Sequence, residues 1–120
     1  TLGSYTATNS GNMVMYCFHS VSGVQDIGTY TGTGGSISAI NVGFPPRFVM
    51  VKRLTNAGGN WGVYDSLRSN TSLHQVSFNS THTEFTDQGL TFTSTGFQPR
   101  QSVGADQNIS GENFLYWAIA

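Results

Sequence analysis

The sequence predicts an all-β domain, an antiparallel β-sandwich of the jelly-roll or lectin-like type with little or no helix. Short segments rich in β-forming residues recur along the 120-residue chain, and clusters rich in Gly, Asn, Asp and Thr separate them. No long stretch has the spacing of apolar residues that an amphipathic helix needs. Many short strands joined by turns, without helices between them, favour two packed sheets.

Three segments carry the strongest strand signals, namely 13–19, 47–54 and 114–120. Segments 13–19 and 114–120 are apolar at both odd and even positions, which is typical of a strand that is covered on both faces. In 47–54, Lys52 and Arg53 follow the apolar residues, so this segment is predicted to be a central strand whose end leaves the core.

Weaker strand signals and turn clusters fill the rest of the chain. The weaker strands are predicted at 24–30, 36–42, 61–65, 74–78, 84–85 and 90–93, and turns at 32–35, 56–60, 87–89 and 95–96. Pro45 and Pro46 mark the entry to the central strand, because proline cannot donate to a sheet. Residues 65–70 are predicted to form one helical turn, with Asp65 or Ser66 as its N-cap.

The two ends of the chain resemble each other. Residues 10–18 align with 110–118, with Ser, Gly and Tyr identical. This similarity has two interpretations: two unrelated apolar strands, or a tandem repeat of about 100 residues. We therefore predict a single sandwich domain over 13–120, preceded by an N-terminal strand or linker at 1–12. Under the second interpretation, 1–12 is the end of a preceding repeat.

The low charge of the chain excludes several classes of protein. Charged residues make up 9% of the sequence, against about 25% in an average domain. With only five Lys and Arg residues, we expect no nucleic-acid binding, and no apolar run reaches the length of a membrane span. Ser and Thr occur 14 times each, and a surface of such residues loses little solvation when it packs against a neighbour.

A search for reactive groups predicts no enzyme activity, no cofactor and no metal site. Cys17 and His19 share one face of a predicted strand, but a core thiol beside a half-buried histidine explains them without zinc. Asp87 and Asp106 could supply oxygen ligands to calcium, but their spacing is not diagnostic and turn chemistry explains them without a metal. No serine lies in a G-x-S-x-G turn, and no phosphate-binding glycine loop is present.

Four residues form the candidate ligand site: Trp61, Tyr64, Asp65 and Arg68. Exposed aromatic rings stack on sugars, and neighbouring polar groups bond the hydroxyls. The alternatives are that Trp61 belongs to the core and that Asp65 and Arg68 form a local ion pair that fixes the turn.

Several stretches also carry a family resemblance, in the following order along the chain: YCFHSV (16–21), IGTYTG (27–32), VGFPPRFVMVKR (42–53), GNWGVYDSLR (59–68), FTSTGF (92–97), NISG (108–111) and FLYWA (114–118). In these stretches the chain resembles a β-rich domain family of uncharacterised function that is common in bacteriophage and marine viral proteins. Its members are tail-fibre-like and other virion structural chains, often with the domain in tandem. The second proline and the arginine of 43–47, and residues 24–26, depart from the family pattern, which puts any shared ligand in doubt.

The resemblance and the composition together predict a non-enzymatic virion structural module of a tail fibre, head fibre or appendage, located in the virion or outside the cell. The expected partners are other copies of the chain or neighbouring virion proteins, with a host-surface glycan as a candidate ligand. The alternative is a purely structural capsid decoration, cement or fibre-spacer protein. A glycan-degrading enzyme is the third, less favoured, reading.

Overall fold

The computed structural model describes residues 16–55, 59–68, 75–81, 83–84, 89–100 and 107–120. They form eight β-strands and, among these residues, no α-helix: β1 Gln25–Thr31, β2 Ile40–Asn41, β3 Phe48–Arg53, β4 Gly62–Asp65, β5 Val76–Ser77, β6 Leu90–Phe92, β7 Gly96–Pro99 and β8 Asn113–Ile119. The strands build two antiparallel sheets, one of five strands in the order β1-β8-β3-β4-β5 and one of three in the order β2-β7-β6. The predicted all-β sandwich is confirmed.

Strand β8 lies between β1 and β3 in the larger sheet. It pairs with β1 along its full length, from Gln25 opposite Ile119 to Thr31 opposite Asn113. On its other side it pairs with β3, where Arg53 lies opposite Phe114. A strand near the end of the chain therefore holds together two strands from its first half, so the sheet depends on contacts between distant parts of the sequence.

The core lies between the two sheets. Alternate residues of β3, β4 and β8 point into it and meet residues of β6 and β7, because successive side chains of a strand face opposite sides. Its fully buried members include Val49, Tyr64, Leu90, Phe97, Phe114 and Ala118. The rings pack in close contact: Tyr30 stacks on Phe114 with centroids 5.1 Å apart.

Most predicted strands are present with shifted ends. Five of the strands, β1, β3, β4, β6 and β8, correspond to the predicted segments 24–30, 47–54, 61–65, 90–93 and 114–120 in that order. Two other predicted segments are much shorter in the structure: 36–42 becomes the two-residue strand β2, and 74–78 becomes the two-residue strand β5. Residues 16–19 of the predicted strand 13–19 lie outside any strand, and 13–15 lie outside the described residues. Glu84 is not in a strand, and Phe85 lies outside the described residues.

The predicted turn at 95–96 is wrong at Gly96, which begins β7. A Cβ at this position would collide with the backbone carbonyl oxygen of Ile40 on the paired strand β2. Glycine is therefore needed here for the close approach of two strands rather than for a turn.

The predicted domain boundary near residue 13 and the segment 1–12 lie outside the described residues. Within the described part of the chain, no helix has the length and apolar character to cross a membrane.

Candidate functional site

The structure separates the two aromatic residues of the predicted ligand site. Tyr64 points into the core and is fully buried, whereas Trp61 lies just before β4 and faces the opposite side of the five-stranded sheet. The Tyr64 hydroxyl donates a hydrogen bond of 2.8 Å to Oε1 of Gln75. Trp61 and Tyr64 thus cannot contact one ligand together.

The Tyr64 hydroxyl belongs to a buried polar cluster. Nε2 of Gln107 donates to the same Gln75 Oε1 atom at 3.0 Å, and Nε2 of Gln75 donates to Oγ of Ser77 at 3.4 Å. Oε1 of Gln107 is buried and has no hydrogen-bond partner among the described residues. These bonds satisfy polar groups inside the protein, so the cluster fixes the position of β5 against β4.

Asp65 and Arg68 are paired with each other at the end of β4. Oδ1 of Asp65 accepts hydrogen bonds from the backbone amides of Leu67, at 3.1 Å, and Arg68, at 2.8 Å. Its Oδ2 atom accepts the Arg68 Nε–H, and Nη1 of Arg68 donates to Oε1 of Glu84 at 2.7 Å. Asp65 thereby caps the short helical turn, as one of the two predicted N-caps.

The electrostatics of this turn follow from the same bonds. Partial burial of the Asp65 carboxyl raises its pKa, but the amide and guanidinium of Arg68 outweigh burial and hold that pKa below its usual value. The bond to Asp65 raises the pKa of Arg68, against a smaller opposing effect of burial. Both oxygens of Asp65 are occupied, so the local ion pair describes this turn better than a ligand contact does.

Trp61 belongs instead to an apolar groove on the face of the five-stranded sheet that points away from the three-stranded sheet. We call this side the outer face and the depression in it the outer groove. The groove has a volume of about 800 Å³. Its aromatic lining residues are Tyr16, Phe18, Phe48, Trp61, Phe78 and Trp117.

Residues 16–20 lie along one side of the outer groove and are held there by polar bonds. Nε2 of Gln25 donates to the carbonyl of His19 at 2.7 Å, and the backbone amide of Ile27 donates to Oγ of Ser20 at 3.0 Å. These bonds bring the Phe18 ring to 4.5 Å from the ring of Trp117, between centroids. Nε1 of Trp117 donates to Oε1 of Gln25 at 3.1 Å.

One cation lies beside the groove. The Lys52 ammonium donates to the carbonyl of Gly59 at 2.6 Å and lies 5.9 Å from the Trp61 ring centroid. This geometry combines a charge-assisted hydrogen bond with a cation–π contact. The ammonium therefore already has partners within the chain.

Reasoning from the sequence did not identify the outer groove. The signal was present in the apolar residues on both faces of 114–120, which predicted a strand covered on both sides. In the structure the inner face of β8 packs on the smaller sheet, but its outer residues Leu115 and Trp117 line the open groove. The pattern correctly indicates two apolar faces, but it does not indicate what covers the second one.

A second, polar depression lies on the smaller sheet. It has a volume of about 220 Å³ and is lined by Ser36, Ile37, Thr91, Gln98, Pro99 and Arg100. Nε2 of Gln98 donates to the carbonyl of Ile37 at 2.7 Å, which ties the segment before β2 to β7. Arg100 is exposed and forms no ion pair with any residue that the structure describes.

Two of the residues weighed as metal ligands, Asp87 and Asp106, lie outside the described residues. The expectation of a core thiol beside a half-buried histidine is wrong, because Cys17 and His19 are both exposed. Within the described part of the chain, no three His, Cys, Asp or Glu side chains are grouped as a metal ion would require.

Comparison with known protein families gives one match. A family model described as a domain of unknown function (DUF7483) matches residues 1–120, which is the whole chain. The chain belongs to this family. The search of curated proteins and the search of solved structures gave no match. Membership in the family therefore assigns the domain type, and the function has to be argued from the geometry.

Proposed function

We propose that the chain is a non-enzymatic structural module of a virus particle, in a tail fibre, head fibre or other appendage, and that it works by packing against neighbouring proteins. The observation that carries this proposal is the apolar outer face of the five-stranded sheet. Exposing such a face to water is energetically unfavourable, and contiguous apolar patches of this kind mark interaction surfaces. The placement in a virion rests on the resemblance of the sequence to phage and marine viral structural chains.

The hydrogen bonds of the four acidic residues that the structure describes support a non-enzymatic role. Asp65 caps a turn and Glu84 binds Arg68. Asp26 accepts the hydroxyl proton of Tyr116 at 2.6 Å, and Glu112 accepts that of Thr55. Carboxyl groups that act in hydrolysis must face a substrate cleft, whereas these four hold parts of the fold in place.

The test is the location of the chain in purified particles. Immunogold labelling with antibodies against the chain should mark fibres or appendages, with preimmune serum as the control. Labelling spread evenly over the capsid would favour the alternative of a decoration or cement protein. Recovery of the chain only in the particle-free fraction of lysed host cells would contradict the proposal.

Attachment to a host-surface glycan is the second candidate function, and the polar depression on the smaller sheet favours it. Ser36, Thr91 and Gln98 are the polar side chains of its lining, and Arg100 adds an exposed guanidinium. Small polar groups around one cation suit a sugar that carries a carboxylate. Binding by one such shallow site would be weak, and repetition in a multivalent assembly would strengthen it.

A glycan array probed with a multivalent form of the chain tests this second function. Retention on acidic glycans should fall at least about tenfold in Arg100→Ala, because the charge-assisted bond is lost. Arg47→Ala removes an exposed arginine outside the depression and is the matched control. Loss of retention in Trp61→Ala instead would assign the ligand to the outer groove, and retention of no glycan would contradict the function.

A further inference from the structure

The outer groove is lined by large apolar side chains that remain exposed. Tyr16 is 78% exposed, Phe18 54% and Phe78 66%. These three lie around the half-buried rings of Trp61 and Trp117 on one face of one sheet. An aromatic surface of this size, concentrated in one place, is expected to be buried against another apolar surface.

The chemistry of the groove limits what can occupy it. No carboxylate is among the described residues that line it, and the nearby Lys52 ammonium is engaged with Gly59 and Trp61. The indole N–H of Trp117 is engaged with Gln25. A sugar or a charged peptide would leave its polar groups without partners there. The occupant must therefore be an apolar surface that carries little charge.

A second copy of this chain provides such a surface. The same apolar face meets the same apolar face when two copies are related by a two-fold axis, and sheets stack face to face about 10 Å apart. Because charged residues make up only 9% of the sequence, the two copies bring few like charges together. Repulsion between identical faces, the usual obstacle to such pairing, is therefore small.

The size of the face fits a weak, reversible dimer. With strands about 4.8 Å apart and a rise of about 3.3 Å per residue, the five strands cover about 400 Å² in projection. Two such faces present about 800 Å², which is below the roughly 1,000 Å² that stable specific interfaces exceed, so the association is expected to be weak.

We propose that the outer face of the five-stranded sheet docks on the same face of a second copy of the chain, in a closed two-fold dimer. This inference rests on the proposed structural function and names the partner and the surface that it uses. The dimer and the proposed structural function can fail separately, because the location of the chain in particles is independent of its self-association in solution.

Analytical ultracentrifugation of the full chain tests the dimer. The wild-type chain should show a monomer–dimer equilibrium, and Phe78→Glu should weaken it at least about tenfold, because a carboxylate would be buried without a partner. Leu67→Glu is the matched control, since Leu67 is 82% exposed and lies outside the groove. It should associate like the wild type. Both positions are exposed in the single chain, so both variants should keep the circular dichroism spectrum of the folded protein.

Four outcomes would overturn the proposal. The first is a wild-type chain that stays monomeric up to about 1 mM. The second is an equal effect of Phe78→Glu and Leu67→Glu. The third is open-ended growth into polymers, since a two-fold interface closes on itself. The fourth is a dimer that appears only when Met13 and Met15, which lie outside the described residues, are both changed to Asp. That result would identify the upstream segment of the same chain as the occupant.

Discussion

Asp65 illustrates how one side chain can carry two structural roles at the surface. Its Oδ1 atom caps the turn through two backbone amides, while Oδ2 pairs with Arg68. An N-cap typically contributes about 1 kcal/mol, and an exposed ion pair contributes less. The cap is therefore the larger part of what Asp65 does for the fold.

We predict that Asp65→Ala lowers the free energy of unfolding by about 1 kcal/mol, whereas Asp65→Asn, which can still cap, costs about 0.5 kcal/mol or less. Since the pKa of Asp65 is lower in the folded state, its contribution is present at neutral pH and is lost as the pH falls through that lowered pKa. Urea denaturation at neutral and acidic pH measures both effects. Equal losses in the two variants would mean that the charge, rather than the cap, stabilises the turn.

Two tyrosine hydroxyls make buried or half-buried bonds across the fold. Tyr30 donates to the backbone carbonyl of Gln107 at 2.7 Å, and Tyr116 donates to Oδ2 of Asp26 at 2.6 Å. Burial raises the pKa of both phenols well above 10, and Asp26 adds to the effect on Tyr116. Both therefore stay protonated in the folded chain at a pH where they ionise in the unfolded chain.

The expected consequence is loss of stability at alkaline pH. Above about pH 10 the unfolded chain releases these protons and the folded chain keeps them, so the free energy of unfolding falls as the pH rises. Tyr30→Phe should cost about 1 kcal/mol at pH 7 and should make the alkaline decline shallower. Tyr16→Phe, at an exposed position, is the matched control. Urea denaturation at a series of pH values from 7 to 11 measures the free energy of unfolding. The prediction is wrong if this free energy falls with pH at the same rate in Tyr30→Phe and in the wild type.

At the scale of elements, β8 determines the larger sheet because it pairs with both β1 and β3. Its inner residue Phe114 is fully buried, stacks on Tyr30 and belongs to the core. Its neighbour Leu115 points to the other side and lines the outer groove. The two residues are adjacent in sequence but differ in environment.

We therefore predict that Phe114→Ala lowers the free energy of unfolding by about 3–5 kcal/mol, whereas Leu115→Ala costs about 1–2 kcal/mol at dilute concentration. The reason is that Phe114 leaves a cavity and Leu115 borders space that is already open. Guanidinium denaturation of both variants provides the measurement. Similar losses in the two would show that the outer face is covered in the single chain.

Strand signals predicted β3 and β8 well because those segments are long and rich in β-forming residues, and the weaker signal at 24–30 also corresponds to a strand, β1. β7 was missed because it contains Gly96 and Pro99, residues that are typical of turns. It forms a hairpin with β6, which lies only three residues upstream, and its other partner, β2, lies more than 50 residues away. The pairing with β2 is a tertiary contact that a local pattern cannot include.

At the scale of the whole molecule, charge contributes little to stability. The ion pairs among the described residues both involve Arg68, which they join to Asp65 and Glu84. Its side chain is 43% exposed. Salt screens exposed pairs of this kind, and each contributes little in water.

The free energy of unfolding should therefore change by less than about 1 kcal/mol between 50 mM and 500 mM sodium chloride. Urea denaturation across this range, with Arg68→Ala for comparison, measures the dependence. A loss of several kcal/mol in salt would contradict the view that apolar packing and hydrogen bonds dominate this fold.

The candidate site was predictable only in part. The alternative reading of Asp65 and Arg68 as a local ion pair agrees with their geometry, because residues three apart in a short turn necessarily lie close together. The predicted strand 61–65 already implies that Trp61 and Tyr64 face opposite sides, because they are three positions apart and side chains alternate along a strand. Which of the two enters the core was not predictable, because the packing of the two sheets decides it. Their ligand role remains a prediction, and only Trp61 lies on an open surface.

The sequence by itself determined the all-β class, the strands β3 and β8 and the low charge, because alternation, β-propensity and composition are local or additive properties. The equally strong signal at 13–19 did not determine a strand, since its described residues 16–19 lie outside any strand. Only the tertiary structure decided that β8 lies between β1 and β3, that Tyr64 is buried while Trp61 is not, and that one apolar face of the larger sheet stays open. These features depend on which strands pair and how the two sheets cover each other. Contacts between residues far apart in the chain set that arrangement, and no short stretch of sequence contains them.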